Sequence, residues 1–175
     1  PVQIIPPVPQ LRSPRIWGTF SAAGGVGTTT LTLHLAQLGA RSGARVLLVE
    51  SDLRAPLREI LGGEPPFWEE YRVGTPITQE AMPRPMGIGF ALLTRSSTQE
   101  ITPELFAHVV DSACENFDLI LLDNPKIAHP SMSALMIVEN TLPSLLGLNA
   151  ISGLHNPQIA VINKVTSRVR KNIAI

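Results

Sequence analysis

A glycine-rich turn that separates an apolar segment from an amphipathic one constrains the fold of this chain more than any other feature. The apolar segment RIWGTF, residues 15–20, predicts a β-strand. The segment 28–43, which follows the turn, predicts a helix because Leu31, Leu35 and Leu38 recur on one face at helical spacing. A strand joined to a helix through a tight turn is a typical first unit of an α/β domain.

Strand-like and helix-like segments alternate along the rest of the chain. The further strand candidates are apolar runs typical of a covered parallel sheet: ARVLLVE, IGFALLT, FDLILLD, SALMIVE and QIAVINK. Helices are predicted within 51–63, over 102–117 with Thr102 as N-cap and Pro103 in the first position, and from about residue 142 to 152. Aromatic residues make up only 5% of the chain, so aliphatic side chains must fill the core. The expected fold class is therefore α/β, with a doubly wound, mostly parallel sheet flanked by helices.

The chain divides into a short arm and one folded domain. Residues 1–14 contain five prolines, which lack a backbone donor and favour extended chain, so we expect a linker or arm there. Residues 15–175 form the domain. Within it, the segment 62–86 is rich in Pro and Gly and is expected to be a surface excursion with little regular structure. The sequence FWEEY, residues 67–71, is either an exposed patch for a partner or a set of aromatic side chains packed over the core.

Charge, cysteine content and hydropathy exclude several classes of protein. Lys and Arg total 14, as do Asp and Glu, so the zero net charge gives no support for a basic nucleic-acid surface. A single cysteine, Cys114, excludes an internal disulfide framework, and no apolar run reaches the roughly 18 residues of a membrane span. The first residues lack the layout of a signal peptide, and the four histidines show no metal-ligand spacing. We therefore expect a cytoplasmic protein.

The glycine-rich turn has the residue types of a phosphate-binding loop. Its glycines would let backbone N–H groups converge on phosphate oxygens at the N-terminus of the following helix. The candidate nucleotide-binding residues are consecutive: Gly24, Gly25, Val26, Gly27, Thr28, Thr29 and Thr30. In the pattern G-x-x-x-x-G-K-[ST], the first glycine falls on Ala22, the lysine on Thr28 and the magnesium-binding hydroxyl on Thr29. The alternative is an ordinary tight turn between a strand and a helix.

Asp123 is the candidate partner of Thr29 in a magnesium site. It ends the apolar strand FDLILLD, where an acidic side chain can hold Mg²⁺ through water, opposite the Thr29 hydroxyl. The alternative is a strand-end aspartate that caps the turn before Asn124 and Pro125.

The segment SAAGGVGTTTLTLHLA, residues 21–36, resembles the deviant Walker A motif of the ParA/MinD superfamily of P-loop ATPases, which usually reads S-x-K-G-G-V-G-K-T-T. RVLLVESDLRAP resembles the second-strand switch segment of that superfamily, FDLILLDNP its Walker B strand, and AVINKV the late strand whose Asn approaches the adenine. The likeness extends from about residue 15 to residue 165. Within the superfamily, GVGTTT is similar to the CpaE/TadZ branch, whose members localise the assembly machinery of Flp-type pili.

The resemblance assigns roles to further residues and reveals two departures from the family. It places Asn163 at the adenine, with capping of the last strand as the alternative, and Asp52 at the position that orients the attacking water. The Walker lysine falls on Thr28, and the signature lysine, which reaches across the dimer, falls on Ala23. Hydrolysis is therefore expected to be slow or absent, unless an arginine substitutes. The candidate substitutes are Arg15, Arg54 and Arg58.

Two other features leave alternatives open. Glu50 takes the place of the first aspartate in the family's D-x-D switch pair, of which Asp52 is the second, and either acid could instead lie at a solvated strand end or cap a helix. Residues 165–172 carry three basic residues and no acid, which fits either a membrane-surface contact, as in MinD, or a solvated face.

The resemblance implies a nucleotide-binding or pseudo-ATPase protein that acts as a localisation or assembly factor for a Flp/Tad-type pilus or secretion system. The implied cofactor is ATP or ADP with Mg²⁺, and the implied partners are a second copy of the chain and proteins of the pilus or secretion machinery. An active ATPase with a substitute cation and a nucleotide-free scaffold are the alternatives. Recruitment to the inner membrane face or the cell pole is also implied, as are further helices beyond AVINKV in a longer parent chain.

Overall fold

A parallel β-sheet forms the centre of the protein. The computed structural model describes residues 15–21, 24–50, 56–97, 100–139, 141 and 159–163. The strands in this part of the chain are β1 Arg15–Phe20, β2 Val46–Glu50, β3 Ala91–Leu93, β4 Leu119–Asp123, β5 Met132–Glu139 and β6 Ile159–Asn163. Their order across the sheet is β3-β2-β4-β1-β5-β6, and every neighbouring pair is parallel. The predicted α/β fold with a parallel sheet is confirmed.

Helices connect the first four strands. The described helices are α1 Thr28–Arg41 after β1, α2 Pro56–Leu61 after β2 and α3 Pro103–Ala113 after β3. The predicted cap of α3 is present, since the Leu105 N–H donates to the Thr102 hydroxyl oxygen over 3.3 Å. The predicted arm 1–14 and the predicted helix near 142–152 lie outside the described residues.

Strand β3 is shorter than the apolar run IGFALLT suggested. Gly89 has φ +94°, its N–H donates to the Met86 carbonyl over 2.8 Å, and the Met86 N–H donates to the Phe90 carbonyl over 2.9 Å. These bonds close a tight turn that takes up the first residues of the run, so pairing with β2 begins only at Ala91.

Apolar side chains cover both faces of the sheet. On one face, α3 packs through Phe106 and Val110 against alternate residues of β2 and β4, such as Leu47 and Ile120. On the other face, α1 and α2 pack against the intervening residues of the same strands. All five residues of β2 are buried, which explains why its first four residues, VLLV, are apolar.

The excursion 62–86 is irregular but anchored in the core. Its regular structure is limited to single 3₁₀ turns at Trp68–Glu70 and Gln79–Ala81. Trp68 is buried and stacks on Phe106 with ring centroids 5.9 Å apart, and Tyr71 and Met82 are buried as well. The second interpretation of FWEEY, aromatic side chains packed over the core, is therefore confirmed for Trp68 and Tyr71.

The leucine face of α1 lines an open groove. The buried residues of α1 are Thr28, Thr32 and Ala36. Leu31, Leu35 and Leu38 instead form one wall of a groove of about 590 Å³ that also contacts β1, β4, β5 and β6. Leu38 is 61% exposed, so this face of the helix is only partly covered.

Candidate functional site

The carboxyl ends of the strands gather the candidate residues at one edge of the sheet. Because all strands run in the same direction, the loop after β1, Glu50 at the end of β2, Asp123 at the end of β4 and Asn163 at the end of β6 share that edge. The carboxyl edge is where ligands bind in open α/β sheets. Direct contacts, described below, connect the loop to Asp123 and to Asn163.

The loop presents an uncapped helix N-terminus. Gly25 and Gly27 have φ values of +78° and +92°, a conformation that glycine adopts without strain. Gly27 is the N-cap residue of α1, where it supplies no side-chain cap, and the first helical bond runs from the Leu31 N–H to the Gly27 carbonyl over 2.9 Å. The N–H groups of the first turn therefore have no acceptor within the helix, as an anion-binding helix N-terminus requires.

Asp123 is held by hydroxyl groups of α1. The Thr29 hydroxyl donates to Oδ2 of Asp123 over 2.8 Å, and Oγ1 of Thr32 lies 3.2 Å from Oδ1. Oγ1 of Thr19 on β1 lies 2.6 Å from the Thr32 hydroxyl oxygen, which extends the cluster into the sheet. Asp123 is 2% exposed. The Thr29 and Asp123 oxygens are thus adjacent, and they are of the type that Mg²⁺ prefers in proteins.

Thr28 carries an unusual buried hydroxyl. It is the first residue of α1 and is 8% exposed, and its Oγ1 forms no hydrogen bond with another described residue. A buried hydroxyl without a partner costs about 1–3 kcal/mol in a folded protein. This is the position at which the sequence pattern expects the phosphate-binding lysine.

Glu50 caps α2. Its carboxylate accepts the backbone N–H of Leu57 and, over 3.3 Å, that of Arg58, and its side chain is fully buried. Its carbonyl oxygen accepts the indole N–H of Trp68 over 2.8 Å. Glu50 stands directly opposite Asp123 in the register of β2 and β4. Of the alternatives for Glu50, the structure shows the helix cap, and it connects this acid to the excursion.

Asn163 contacts the loop after β1. Its side-chain amide donates to the Val26 carbonyl over 2.7 Å, and a β-carbon added to Gly27 would lie 2.6 Å from the same nitrogen. This bond joins β6 to the loop after β1. Contact with adenine and a cap on the last strand both stay predictions.

The arginines considered as substitutes for the missing lysines lie in different places. Arg15 begins β1, so the length of the strand, about 16 Å, separates it from the loop. Arg58 donates to the Arg95 and Ser96 carbonyls over 2.9 and 3.2 Å, and its guanidinium lies 5.2 Å from the centre of the Phe67 ring. Further sequence candidates lie outside the described residues, namely Ala22, Ala23, Asp52, Arg54 and the basic segment 165–172.

Glu69 is bound by two serines just beyond the carboxyl end of β3. The backbone N–H and the hydroxyl of Ser96 donate to one carboxylate oxygen, and those of Ser97 donate to the other, each over 3.0 Å. Burial raises the pKa of the Glu69 carboxyl, but the hydrogen bonds from both serines outweigh this effect and lower the pKa to about 2.

Glu69 therefore makes stability sensitive to acid. Because the folded-state pKa lies below the unfolded value of about 4.3, the stabilisation is present above that value and is lost as the pH falls towards 2. We expect Glu69→Gln to lower the free energy of unfolding at pH 6, with a smaller deficit at pH 3, in urea denaturation followed by circular dichroism. Glu115→Gln, at an exposed site, is the matched control, and an equal deficit at both pH values would contradict the expectation.

Two properties of the described residues restrict other kinds of site. Within the described residues, no three His, Cys, Asp or Glu side chains are grouped so that they could hold a metal ion. None of the helices in that part of the chain is long and apolar enough to cross a membrane. A magnesium ion at this edge would therefore need oxygen ligands from the Thr29 hydroxyl, water or phosphate in addition to Asp123.

Sequence reasoning missed Thr32, Thr19 and the bond from Trp68 to Glu50. Thr32 follows Thr28 by one helical turn, so the spacing of polar residues along α1 could have placed it on the face that looks towards Asp123. Thr19 is a polar residue in an otherwise apolar strand, which is a second signal of the same kind. Trp68 lies in an irregular segment, and no local pattern indicates that its indole N–H bonds to Glu50.

Comparison with known proteins agrees with the fold. The family model described as "CobQ/CobB/MinD/ParA nucleotide binding domain" matches residues 18–174. No curated protein sequence matches the chain at a significant level.

Solved structures share the fold at low sequence identity. The kinase domain of the Escherichia coli tyrosine kinase ETK has a TM-score of 0.68 and 21% identity, over 88% of this chain and 69% of its own. The MinC:MinD cell division complex of Aquifex aeolicus has a TM-score of 0.66 and 23% identity, over 91% and 73%. Cobyrinic acid a,c-diamide synthase of Mycobacterium smegmatis, solved with ADP and magnesium, has a TM-score of 0.61 and 16% identity, over 92% and 82%.

Proposed function

The chain belongs to the family of CobQ/CobB/MinD/ParA nucleotide binding domains, and we propose that it binds ATP or ADP with Mg²⁺ but hydrolyses ATP slowly or not at all. The observation that carries this proposal is the Thr28 hydroxyl, which is buried at the start of α1 and has no partner among the described residues. A phosphate oxygen bound in the cradle, which residues 24–30 form, would supply an acceptor for the Thr28 hydroxyl. It would thereby remove the cost of the unpaired group.

The cradle has the parts that binding needs. Gly25 and Gly27 shape the loop, the first turn of α1 offers N–H groups, and Thr29 with Asp123 offers oxygen ligands for Mg²⁺. None of these contacts uses a lysine, and the backbone of such loops supplies phosphate donors of its own. The Mycobacterium relative holds ADP and magnesium on the same fold, which supports the proposal.

Hydrolysis needs more than the cradle supplies. Charge that develops on the transferred phosphoryl group is normally stabilised by a cation, and loss of one such group costs about two to three decades in rate. Threonine occupies the lysine position, Arg58 is engaged at the end of β3, and Arg15 lies at the opposite edge of the sheet. We therefore assign binding without efficient turnover.

The role we propose is positional. A nucleotide that favours one conformation could switch a homodimer that localises the assembly machinery of a Flp/Tad-type pilus or secretion system at the inner membrane face or cell pole. Support comes from the likeness of GVGTTT to the CpaE/TadZ branch and from the MinD relative, which was solved in complex with MinC.

Isothermal titration calorimetry with ATP and ADP, with and without Mg²⁺, tests binding, and a phosphate-release assay tests turnover. Micromolar Mg²⁺-dependent binding with negligible phosphate release supports the proposal. Rapid release would instead favour an active ATPase with a substitute cation. An absence of heat at millimolar nucleotide would overturn the binding proposal and favour a nucleotide-free scaffold.

Thr28→Val separates binding from stability. Valine keeps the shape of threonine but removes the unpaired hydroxyl, so we expect an unchanged or higher free energy of unfolding. If Thr28 binds a phosphate oxygen, the same change weakens ATP and ADP affinity about tenfold or more, since hydrogen bonds to charged groups contribute about 1.5–3 kcal/mol. Thr75→Val, at an exposed site in the excursion, should change neither quantity. Unaltered affinity in Thr28→Val would show that this hydroxyl does not bind the ligand.

A further inference from the structure

We infer that Asn163 is a positioning residue for the phosphate loop, so that its loss weakens the binding of any polyphosphate, whether or not the ligand carries a base. This inference rests on the proposed function and names a role for Asn163 other than contact with adenine. Its basis is the bond from the Asn163 amide to the Val26 carbonyl, 2.7 Å long, which joins the last described strand to the loop after β1.

The chemistry of the bond fixes its direction. The Val26 carbonyl can only accept, and the side chain of Asn163 can donate only through its NH₂ group. That NH₂ group is therefore directed at the loop backbone. The group carries two N–H bonds, so only the one that is not directed at Val26 is left as a donor for a base.

The bond also orients the next N–H group. The Val26 carbonyl and the Gly27 N–H belong to one planar trans peptide unit, so they point in opposite directions. By holding the carbonyl towards β6, Asn163 turns the Gly27 N–H away from β6. The N–H of Gly27 donates no backbone hydrogen bond to another described residue, so this donor is oriented but not consumed.

Close packing supports the same role. A β-carbon on Gly27 would lie 2.6 Å from the Asn163 nitrogen, well inside contact distance. The amide therefore lies directly against Gly27, which has φ +92°. The side chain restrains the residue whose conformation sets the entry into α1.

Two properties of β6 allow the Asn163–Val26 bond to connect the loop with the edge of the sheet. Asn163 is the last residue of β6, which pairs only with β5 among the described strands, and its partner in that register is Glu139. A shift of β6 along β5 would displace the amide from Val26. The conformation of the loop is thereby coupled to the position of the sheet edge.

Binding to ligands with and without a base tests the inference. ATP, GTP and inorganic tripolyphosphate are titrated with Mg²⁺ into the wild type, Asn163→Ala and Asn163→Asp. A positioning role predicts weaker binding of all three ligands by a similar factor, about fivefold, the factor expected for loss of one hydrogen bond. A loss confined to ATP would identify Asn163 as a base-contacting residue and would overturn the inference. Unchanged affinity for all three ligands would also overturn it.

Amide hydrogen exchange tests, without any ligand, whether the Asn163–Val26 bond restrains the loop. Asn163→Ala and Asn163→Asp both remove the donor, and we expect exchange in a peptide covering residues 24–30 to accelerate about fivefold, while peptides from β2 and β4 are unchanged. Ile162→Thr, at the neighbouring 48% exposed residue of β6, is the matched control and should leave the loop unchanged. Unaltered loop exchange in both Asn163 variants would refute the positioning role of Asn163. If the wild type bound no nucleotide, the proposed function would fail, and the exchange result would still decide the inference.

Discussion

Alanine in place of Gly27 is expected to weaken nucleotide binding at least tenfold, by about 1.4 kcal/mol or more. Gly27 has φ +92°, and its α-carbon faces the Asn163 amide, so a β-carbon adds backbone strain and a clash at 2.6 Å. The loop must leave its present conformation to relieve both, and the N–H groups then no longer converge. Calorimetry with ATP and Mg²⁺ measures the effect.

Two neighbouring glycines provide graded controls. A β-carbon on Gly24 or Gly25 meets no atom within 4 Å, and of the two only Gly25 has a positive φ. We therefore expect Gly24→Ala to bind nearly as the wild type does, Gly25→Ala to bind more weakly, and Gly27→Ala to bind most weakly. Equal affinities across the series would show that the nucleotide does not use this loop.

Replacement of Trp68 by alanine is expected to lower the free energy of unfolding by about 3–5 kcal/mol. Trp68 is 1% exposed, it stacks on Phe106, and its indole N–H bonds to the Glu50 carbonyl over 2.8 Å. The substitution leaves a large cavity and removes the contact between the excursion and the site. Urea denaturation followed by far-ultraviolet circular dichroism measures the loss.

Trp68→Phe divides this loss into two parts. Phenylalanine retains most of the stacking on Phe106 but leaves the Glu50 carbonyl without the indole donor, which costs about 1–3 kcal/mol for a buried group. We expect a deficit between those of the wild type and Trp68→Ala. If both variants unfolded as the wild type does, the excursion would not be anchored through this side chain.

The strands and helices could be predicted where one local rule decides them. The apolar run of β2 indicates a strand buried on both faces, and Thr102 with Pro103 indicates the start of α3. The glycines of the turn indicate a conformation with positive φ, which glycine adopts without strain and which Gly27 has. These features depend on residues that are close together in the sequence.

The remaining features depend on partners that are distant in the sequence. The composition of the excursion indicates irregular structure, but the burial of Trp68 depends on Phe106, which no local pattern connects with it. Glu50 could have been a solvated acid or a cap, and only the position of α2 decides between them. Asn163 reaches Val26 across most of the chain, so the motif that indicated an adenine contact could not indicate this bond.

The position of β1 in the sheet has a consequence for biosynthesis. β1 is the first described strand to be translated, but its neighbours are β4 and β5, so that Ile16 lies opposite Ile120 and Met132. A nascent chain that has emerged from the ribosome only as far as β3 offers β1 neither neighbour, and its apolar edges stay open. Loop closure over such distances slows folding and prolongs exposure to aggregation. The strand that leads into the glycine-rich turn therefore stays without both of its sheet neighbours until β4 has been synthesised.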